Sequence, residues 1–198
     1  MPAGYGVYKA CNTTGTATDA GYPEHAYTWD VALRTRAILE QHGVRVLLTR
    51  SSDTGVGPCV NERAAIQSQP GVDAAVAIHG DGAPAGDHGF FVCTAARTPV
   101  GATARSVTLS HDLAIDMHDG LLAHSGMTTA NYIGSNGYVS TTDFAGLNLS
   151  RSPTTFIEIG NMRDAHDASV QSSASGRQGI AEGLAAGLLA YVAHHRGR

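Results

Sequence analysis

The strongest constraint on how this chain folds is a set of short, almost continuous apolar runs. They read VDAAVAIH at 72–79, GFFVCTA at 89–95 and TTFIEIG at 154–160. Runs of this length, rich in branched and aromatic residues, are typical of strands that are buried on both faces. Because segments with helical spacing lie between them, we predict an α/β fold of three layers, α/β/α, with a mostly parallel central sheet covered by helices on both faces.

The predicted elements alternate along the chain. Four helices are predicted at 24–41, 61–69, 100–124 and 176–195, and four strands at 44–50, 72–79, 89–95 and 154–160. Residues 125–153 are polar and turn-rich, and residues 1–20 form a loop rich in Gly, Thr and Ala. An α/β domain usually opens on a strand or a helix, so we expect a single domain over 1–198 that is incomplete at its N-terminus.

The charge pattern limits the classes of partner. The formal net charge is −4 and the pI is about 6.2, with acids and bases scattered along the chain. A block of like charge, which would suggest nucleic acid or an anionic membrane surface, is absent from the sequence. No apolar stretch approaches the roughly 18 to 20 residues of a membrane span. We expect a monomer that neither binds nucleic acid nor spans a membrane.

The three cysteines fall in two kinds of surroundings. Cys11 and Cys59 lie in polar, turn-rich segments, whereas Cys93 lies within an apolar strand. This contrast favours a Cys11–Cys59 disulfide with Cys93 as a buried thiol, which would imply an oxidising, exported setting. The alternative on composition alone is three reduced thiols in a cytosolic protein.

Three polar residues stand out near the ends of the predicted elements. His79 ends the strand 72–79, and Glu158 lies near the end of the last strand. A carboxylate among apolar neighbours is costly to bury unless it is paired or used in chemistry. Glu24 begins the first helix, where a carboxylate can simply stabilise the helix N-terminus. Ligands bind beyond the carboxyl ends of strands in such sheets, so His79 and Glu158 are candidates for one shared site.

These residue types form part of a hydrolytic zinc site. A catalytic zinc usually binds three protein ligands and a water, while a separate glutamate acts as general base. Only one histidine fits this pattern, with His88 as a local substitute. Seven others are expected on surfaces or in the C-terminal tail: His25, His42, His111, His118, His124, His194 and His195. The sequence contains no Gly-x-Ser-x-Gly elbow, P-loop or dinucleotide fingerprint.

The order and spacing of several stretches resemble the zinc-dependent N-acetylmuramoyl-L-alanine amidases of the amidase-3 family. They read GYPEHAYTWDVALRTRAILEQHGVRVLLTR, then NERAAI, then VAIHGDG followed by GFFV, and finally SPTTFIEIGNM ahead of the last helix. The match runs from about residue 21 to 192. The Cys-containing loop and CVNER look like a secreted, single-domain branch of the family in which the two cysteines pair.

The resemblance implies a hydrolase of the amide between N-acetylmuramic acid and the L-alanine of the peptidoglycan stem peptide. It implies Zn²⁺ as cofactor, with Glu24 and His79 as two zinc ligands and Glu158 as the catalytic glutamate. It also implies a secreted, periplasmic or cell wall-associated protein whose partner is peptidoglycan or a muropeptide. The family's first zinc ligand is a histidine in a DPGHG-like motif that has no counterpart here, so we expect that motif and its strand to precede this sequence.

Other interpretations stay open at this stage. A non-catalytic muropeptide-binding or regulatory module would explain the missing histidine, and a zinc hydrolase of the same fold could act on another amide. The segment 126–151 is interpreted as a substrate wall, with Tyr132, Asn136 and Asn148 able to hydrogen-bond sugar or peptide. An ordinary surface connection is the alternative for that segment.

Overall fold

The computed structural model describes residues 1–195. The helices are α1 (Glu24–Gln41), α2 (Val60–Gln67), α3 (Ala104–His124), α4 (Ala145–Leu149), α5 (Ala165–Ser172) and α6 (Ala174–His195). The strands are β1 (Ala75–Asp81), β2 (Phe91–Ala95), β3 (Tyr138–Thr141) and β4 (Thr154–Asn161). Within the described residues, no helix has the length and apolar character required to cross a bilayer.

The four strands form one sheet in the order β1-β4-β2-β3. β1 pairs with β4 and β2 with β3 in parallel, whereas β2 runs antiparallel to β4. Two of these three pairings are parallel, so the prediction of a mostly parallel sheet is confirmed. Since β1 and β4 are parallel neighbours, their carboxyl ends meet at the same end of the sheet.

Helices pack on both faces of this sheet, as the sequence predicts. Successive residues of a strand point to opposite faces, so Phe156 and Ile157 of β4 enter different cores. Ile157 packs with residues of α1, α3 and α6, including Leu113 and Leu184. Phe156 packs on the other face with Leu147 of α4.

Residues 44–50 do not form the strand that their apolar composition predicts. No strand among residues 1–195 pairs with them, and Leu47 is 59% exposed. The N–H of Val44 instead donates to the carbonyl oxygen of Leu39 at 3.1 Å and completes the end of α1. A strand requires a partner edge for its backbone hydrogen bonds, and local composition cannot provide one.

Three elements that the sequence did not predict follow β2. β3 and α4 lie within the turn-rich segment 125–153, and α5 follows β4. β3 and α4 contain four and five residues, which is too few to show a period in the sequence. Asn136 and Gly137, at φ angles of 49° and 77°, make the turn that brings β3 alongside β2.

His118 is a core residue, and the prediction that it lies on the surface is wrong. It is 8% exposed, and its ring stacks on Tyr138 with 4.6 Å between centroids. Its Nδ1 atom lies 3.0 Å from Asp119 Oδ1. The expected exposure is confirmed for His25, His42, His111, His124 and His194, and His195 is half-buried.

Three glycines allow α3 and α6 to pack closely. A Cβ atom on Gly120 would lie 2.3 Å from the carbonyl oxygen of Gly183 and 2.8 Å from the nitrogen of Gly187. A Cβ atom on Gly187 would lie 2.6 Å from the carbonyl oxygen of Asp116. Because these neighbours are backbone atoms, they cannot rotate away as a side chain could. The spacing of the two helices therefore depends on residues without side chains.

Gly120→Ala is expected to lower the free energy of unfolding by about 1–3 kcal/mol, because the added methyl group forces two backbones apart. Urea denaturation measures this change. Gly146→Ala is the matched control, since its Cβ would meet only Gln67 at an ordinary 3.7 Å. A Gly120→Ala protein as stable as the Gly146→Ala protein would contradict the close packing.

The cysteines are arranged as the sequence predicts. Cys11 and Cys59 form a disulfide that joins the N-terminal loop to the start of α2. The N–H of Val60 also donates to the carbonyl oxygen of Cys11 at 3.0 Å. Cys93 is a buried free thiol, and burial followed by the negative charges of Glu158, Asp143 and Asp81 raises its pKa to about 12.

We expect the native, non-reduced protein to show no thiol that reacts with a colorimetric thiol reagent at pH 8. Raising the pKa of Cys93 from 9.0 to about 12 lowers its thiolate fraction about 10³-fold, and burial also blocks access. One thiol should react after denaturation, and three after denaturation with reduction. A thiol that reacts rapidly in the native protein would overturn this assignment.

Candidate active site

His79 and Glu158 lie side by side on paired strands. The parallel register of β1 and β4 places His79 opposite Glu158. Side chains alternate across a sheet, so both residues project on the face that carries Phe156. The His79 ring stacks on Phe156 with 4.2 Å between centroids and 16° between planes. This stacking holds the imidazole near the carboxyl ends of the strands, beside the Glu158 carboxyl group.

Glu24 reaches His79 from α1. It is the first residue of that helix, and its Oε1 atom lies 2.9 Å from His79 Nδ1. Its Oε2 atom accepts the N–H of Thr16 at 3.1 Å. Burial by itself raises the pKa of Glu24, but hydrogen bonds from His79, Thr16 and Gly80 and the charge of His79 outweigh it, so the pKa lies below its ordinary value. Glu24 is therefore an ionised carboxylate at neutral pH.

Glu158 has the opposite electrostatic character. Its Oε2 atom is buried and has no hydrogen-bond partner among the described residues. Burial, followed by the negative charges of Glu24 and Asp81, raises the pKa of Glu158 well above its ordinary value. The structure thus places two carboxyl groups with pKa values shifted in opposite directions around one imidazole.

Asp81 and Tyr132 form a second polar pair at this end of the sheet. The Tyr132 hydroxyl donates to Asp81 Oδ2 at 2.5 Å, and the Tyr132 ring packs edge-on against Phe91. Burial, followed by the hydrogen bond to Asp81, raises the pKa of Tyr132. Asp81 was not among the predicted site residues, although strand alternation offered a signal because Asp81 follows His79 by two residues. The loop that carries Tyr132 is thereby held against the end of β1.

The two asparagines of the predicted substrate wall do not join this group. Asn148 is 1% exposed, and its side-chain amide donates to the carbonyl oxygens of Ala3 and Thr142. Its amide therefore joins segments of the fold, which corrects the expectation that it faces substrate. Asn136 is exposed in the turn before β3, which lies two strands from β4 in the sheet.

The donor atoms of Glu24 and His79 suit a metal ion. Carboxylate oxygen and imidazole nitrogen are both common zinc ligands. A cation beside them would also offset the repulsion that raises the pKa of Glu158. Among residues 1–195, no third His, Cys, Asp or Glu ligand atom lies within 4.8 Å of both donors. A catalytic zinc usually takes three protein ligands, and two side chains of suitable type meet here.

A separate group of donor atoms lies at the start of α5. Asp164, His166 and Asp167 have ligand atoms within 4.8 Å of one another. Asp167 Oδ2 already accepts the N–H groups of Gly89 at 2.7 Å and Asn161 at 2.9 Å. Asp164 Oδ1 accepts the N–H groups of His166 and Asp167. These carboxylates connect backbone segments, and His166 was not among the histidines with a predicted role.

Comparison with known proteins identifies the class of enzyme. The family model Amidase_3, described as N-acetylmuramoyl-L-alanine amidase, matches residues 4–190. The N-acetylmuramoyl-L-alanine amidase Rv3717 of Mycobacterium tuberculosis is 42% identical over 193 residues, which cover 98% of this chain and 78% of that protein.

Two solved structures from the same genus have this fold. The N-acetylmuramyl-L-alanine amidase Ami1 of Mycobacterium smegmatis has a TM-score of 0.92 and 39% identity, covering 98% of this chain and 88% of that chain. The apo form of Ami1 from Mycobacterium abscessus has a TM-score of 0.89 and 43% identity, covering 97% and 89%. The chain therefore belongs to the Amidase_3 family of N-acetylmuramoyl-L-alanine amidases, which makes it a peptidoglycan hydrolase.

Proposed function

We propose that Glu24 and His79 are protein ligands of a catalytic Zn²⁺ and that Glu158 carries the protons during amide hydrolysis. The observation behind this is the 2.9 Å approach of Glu24 Oε1 to His79 Nδ1, next to a carboxyl group in register with His79. Bound zinc would polarise the scissile carbonyl and make a water molecule more acidic.

Glu158 would act first as a base and then as an acid. It takes a proton from the water that attacks the carbonyl carbon of the muramoyl amide. It then delivers that proton to the nitrogen of L-alanine as the C–N bond breaks. The products are the carboxylate of N-acetylmuramic acid and the free amino group of the stem peptide. The raised pKa of Glu158 supports this role, because a proton carrier works best when its pKa approaches the working pH.

Tyr132 is proposed as part of the substrate wall, since its bond to Asp81 places it at the end of β1. Asn136 remains a candidate at the exposed rim.

We place the enzyme outside the cytoplasm, as a secreted, periplasmic or cell wall-associated monomer. The Cys11–Cys59 disulfide supports this placement, because such bonds persist in oxidising compartments.

The test of the ligand assignment measures zinc per chain by elemental analysis. It also measures release of peptide from N-acetylmuramoyl-L-alanyl-D-isoglutamine by mass spectrometry. Glu24→Gln and His79→Ala are expected to reduce both zinc content and cleavage. The exposed residues Glu40 and His42 provide matched controls, Glu40→Gln and His42→Ala, which should retain both. Unchanged zinc content in Glu24→Gln and His79→Ala would contradict the assignment.

A muropeptide-binding module that does not cleave its ligand is the second candidate for this chain. The observation that favours it is that, within residues 1–195, no third His, Cys, Asp or Glu ligand atom joins those of Glu24 and His79. The same mass-spectrometric assay separates the two candidates, provided that calorimetry first shows muropeptide binding. Binding without peptide release at saturating zinc would support the module, and release at saturating zinc would exclude it.

A further inference from the structure

An open polar cleft lies beside Glu24. Its volume is about 680 Å³, and we call it the threonine cleft. Its walls include Thr14, Thr16, Thr18, Asp19, His25 and Arg163. Hydroxyl groups, backbone groups and a few charged side chains dominate this surface.

The threonine cleft adjoins the proposed zinc ligands through one of its wall residues. Thr16 lines the cleft, and its N–H donates to Glu24 Oε2 at 3.1 Å. Gly82, three residues after His79, lies so close to Thr16 that a Cβ atom on it would be 2.6 Å from Thr16 Oγ1. A substrate bound at Glu24 and His79 can therefore extend into this cleft.

Arg163 extends from a rigid turn at the end of β4. Its N–H donates to Asn161 Oδ1 at 3.0 Å, and the N–H of Met162 donates to the carbonyl oxygen of Asp81 at 2.8 Å. Asn161 is fully buried, and its side-chain amide donates to the carbonyl oxygens of Pro84 and Asp87. The backbone of Arg163 is thus fixed five residues after Glu158, and Arg163 is one of the residues that line the cleft.

Of the ionisable side chains that line the cleft, one already has a partner within residues 1–195 and two do not. His25 Nδ1 lies 2.9 Å from Asp53 Oδ1, so its ring already has a partner. Among the described residues, neither the Arg163 guanidinium nor the Asp19 carboxylate makes a hydrogen bond or an ion pair. Arg163 therefore has, within the described chain, an unpaired cationic side chain on a fixed backbone, with Asp19 as the opposing charge.

We propose that the threonine cleft receives the stem peptide and that Arg163 binds the α-carboxylate of the D-glutamyl residue that follows L-alanine. This inference rests on the function proposed above. A guanidinium group matches a carboxylate through two parallel hydrogen bonds. An extended chain advances about 3.3–3.6 Å per residue, so the D-glutamyl residue lies within reach of a cleft that adjoins the scissile amide. The negative charge of Asp19 would repel the same carboxylate of the substrate.

The test compares two substrates that differ by one charge. One is N-acetylmuramoyl-L-alanyl-γ-D-glutamyl-L-lysine, and the other carries a carboxamide in place of the D-glutamyl α-carboxylate. The wild-type kcat/KM is expected to be about 10-fold higher for the acid, because a hydrogen-bonded charge contributes that much at a partly exposed site. Arg163→Gln should lower this ratio to about 1, and Arg163→Lys should give an intermediate ratio. Asp19→Asn should raise it.

Arg36→Gln, on the exposed face of α1, is the control that should leave the ratio unchanged. Equal kcat/KM values for the two substrates with wild-type protein would overturn the inference, and so would an Arg163→Gln protein that keeps the wild-type ratio. Loss of activity on both substrates in equal proportion would mean that Arg163 only supports the fold, which also overturns it. Failure of the wild-type protein to cleave either substrate would instead refute the proposed function.

Discussion

Glu158→Gln is expected to lower kcat for amide hydrolysis by about 10²–10⁴-fold, the usual contribution of a positioned acid–base group. Glutamine keeps the size of the side chain but cannot accept a proton from water or deliver one to the leaving nitrogen. Glu158 lies opposite His79 in the register of β1 and β4, so the substitution removes a carboxyl group paired across the sheet with a proposed zinc ligand.

Steady-state kinetics with a muropeptide substrate measure this effect, and zinc content should be unchanged. Glu182→Gln on α6 is the control, because Glu182 Oε1 accepts a hydrogen bond from Gln178 that glutamine can also accept. A Glu158→Gln protein with wild-type kcat would remove Glu158 from the mechanism. Loss of zinc in this variant would instead make Glu158 a ligand.

Replacing Cys11 and Cys59 together with serine is expected to lower the free energy of unfolding by about 4 kcal/mol, because the disulfide closes a long loop in the unfolded chain. The two cysteines are separated by 48 positions in the sequence. Their bond also connects the loop that carries Thr16 to the start of α2. Part of the loss should therefore be seen as weaker protection of the N-terminal loop.

Urea denaturation followed by circular dichroism measures the change in stability, and hydrogen exchange measures the protection of the loop. The reduced wild-type protein is the internal control and should match the double variant. A double variant less than about 1 kcal/mol below the oxidised protein would show that the bridge does not constrain the unfolded chain as the entropy model requires.

The fold was predictable wherever the local pattern was strong. In long helices such as α1 and α6, apolar residues recur with helical spacing over several turns, and β4 is apolar on both faces. These elements were therefore identified from the sequence. The segment 44–50 has the same apolar character but forms no strand, since strand formation depends on a neighbouring edge. β3 forms despite its weak pattern because β2 offers it that edge.

The sequence indicated what kinds of side chain form the site. It was a weaker guide to which individual residues belong to it. Glu158 stands out in the sequence because burying a carboxyl group among apolar residues is costly unless the group is paired or used in chemistry. Asn148 has a side chain that suits substrate binding, yet its amide group donates hydrogen bonds to the carbonyl oxygens of Ala3 and Thr142. The Asp81–Tyr132 bond joins residues 51 positions apart, and nothing in either local sequence indicates it.

The amino-acid sequence predicted the α/β class, favoured the disulfide and singled out the three residues of the proposed chemistry, because apolar period and residue type are local properties. The tertiary structure alone decided that Glu24, on a helix, meets His79 across 2.9 Å and that Glu158 stands in register with His79. It also decided that Arg163 lines a cleft beside them. Distances and pKa shifts of this kind arise from strand register and burial, which depend on residues far apart in the chain.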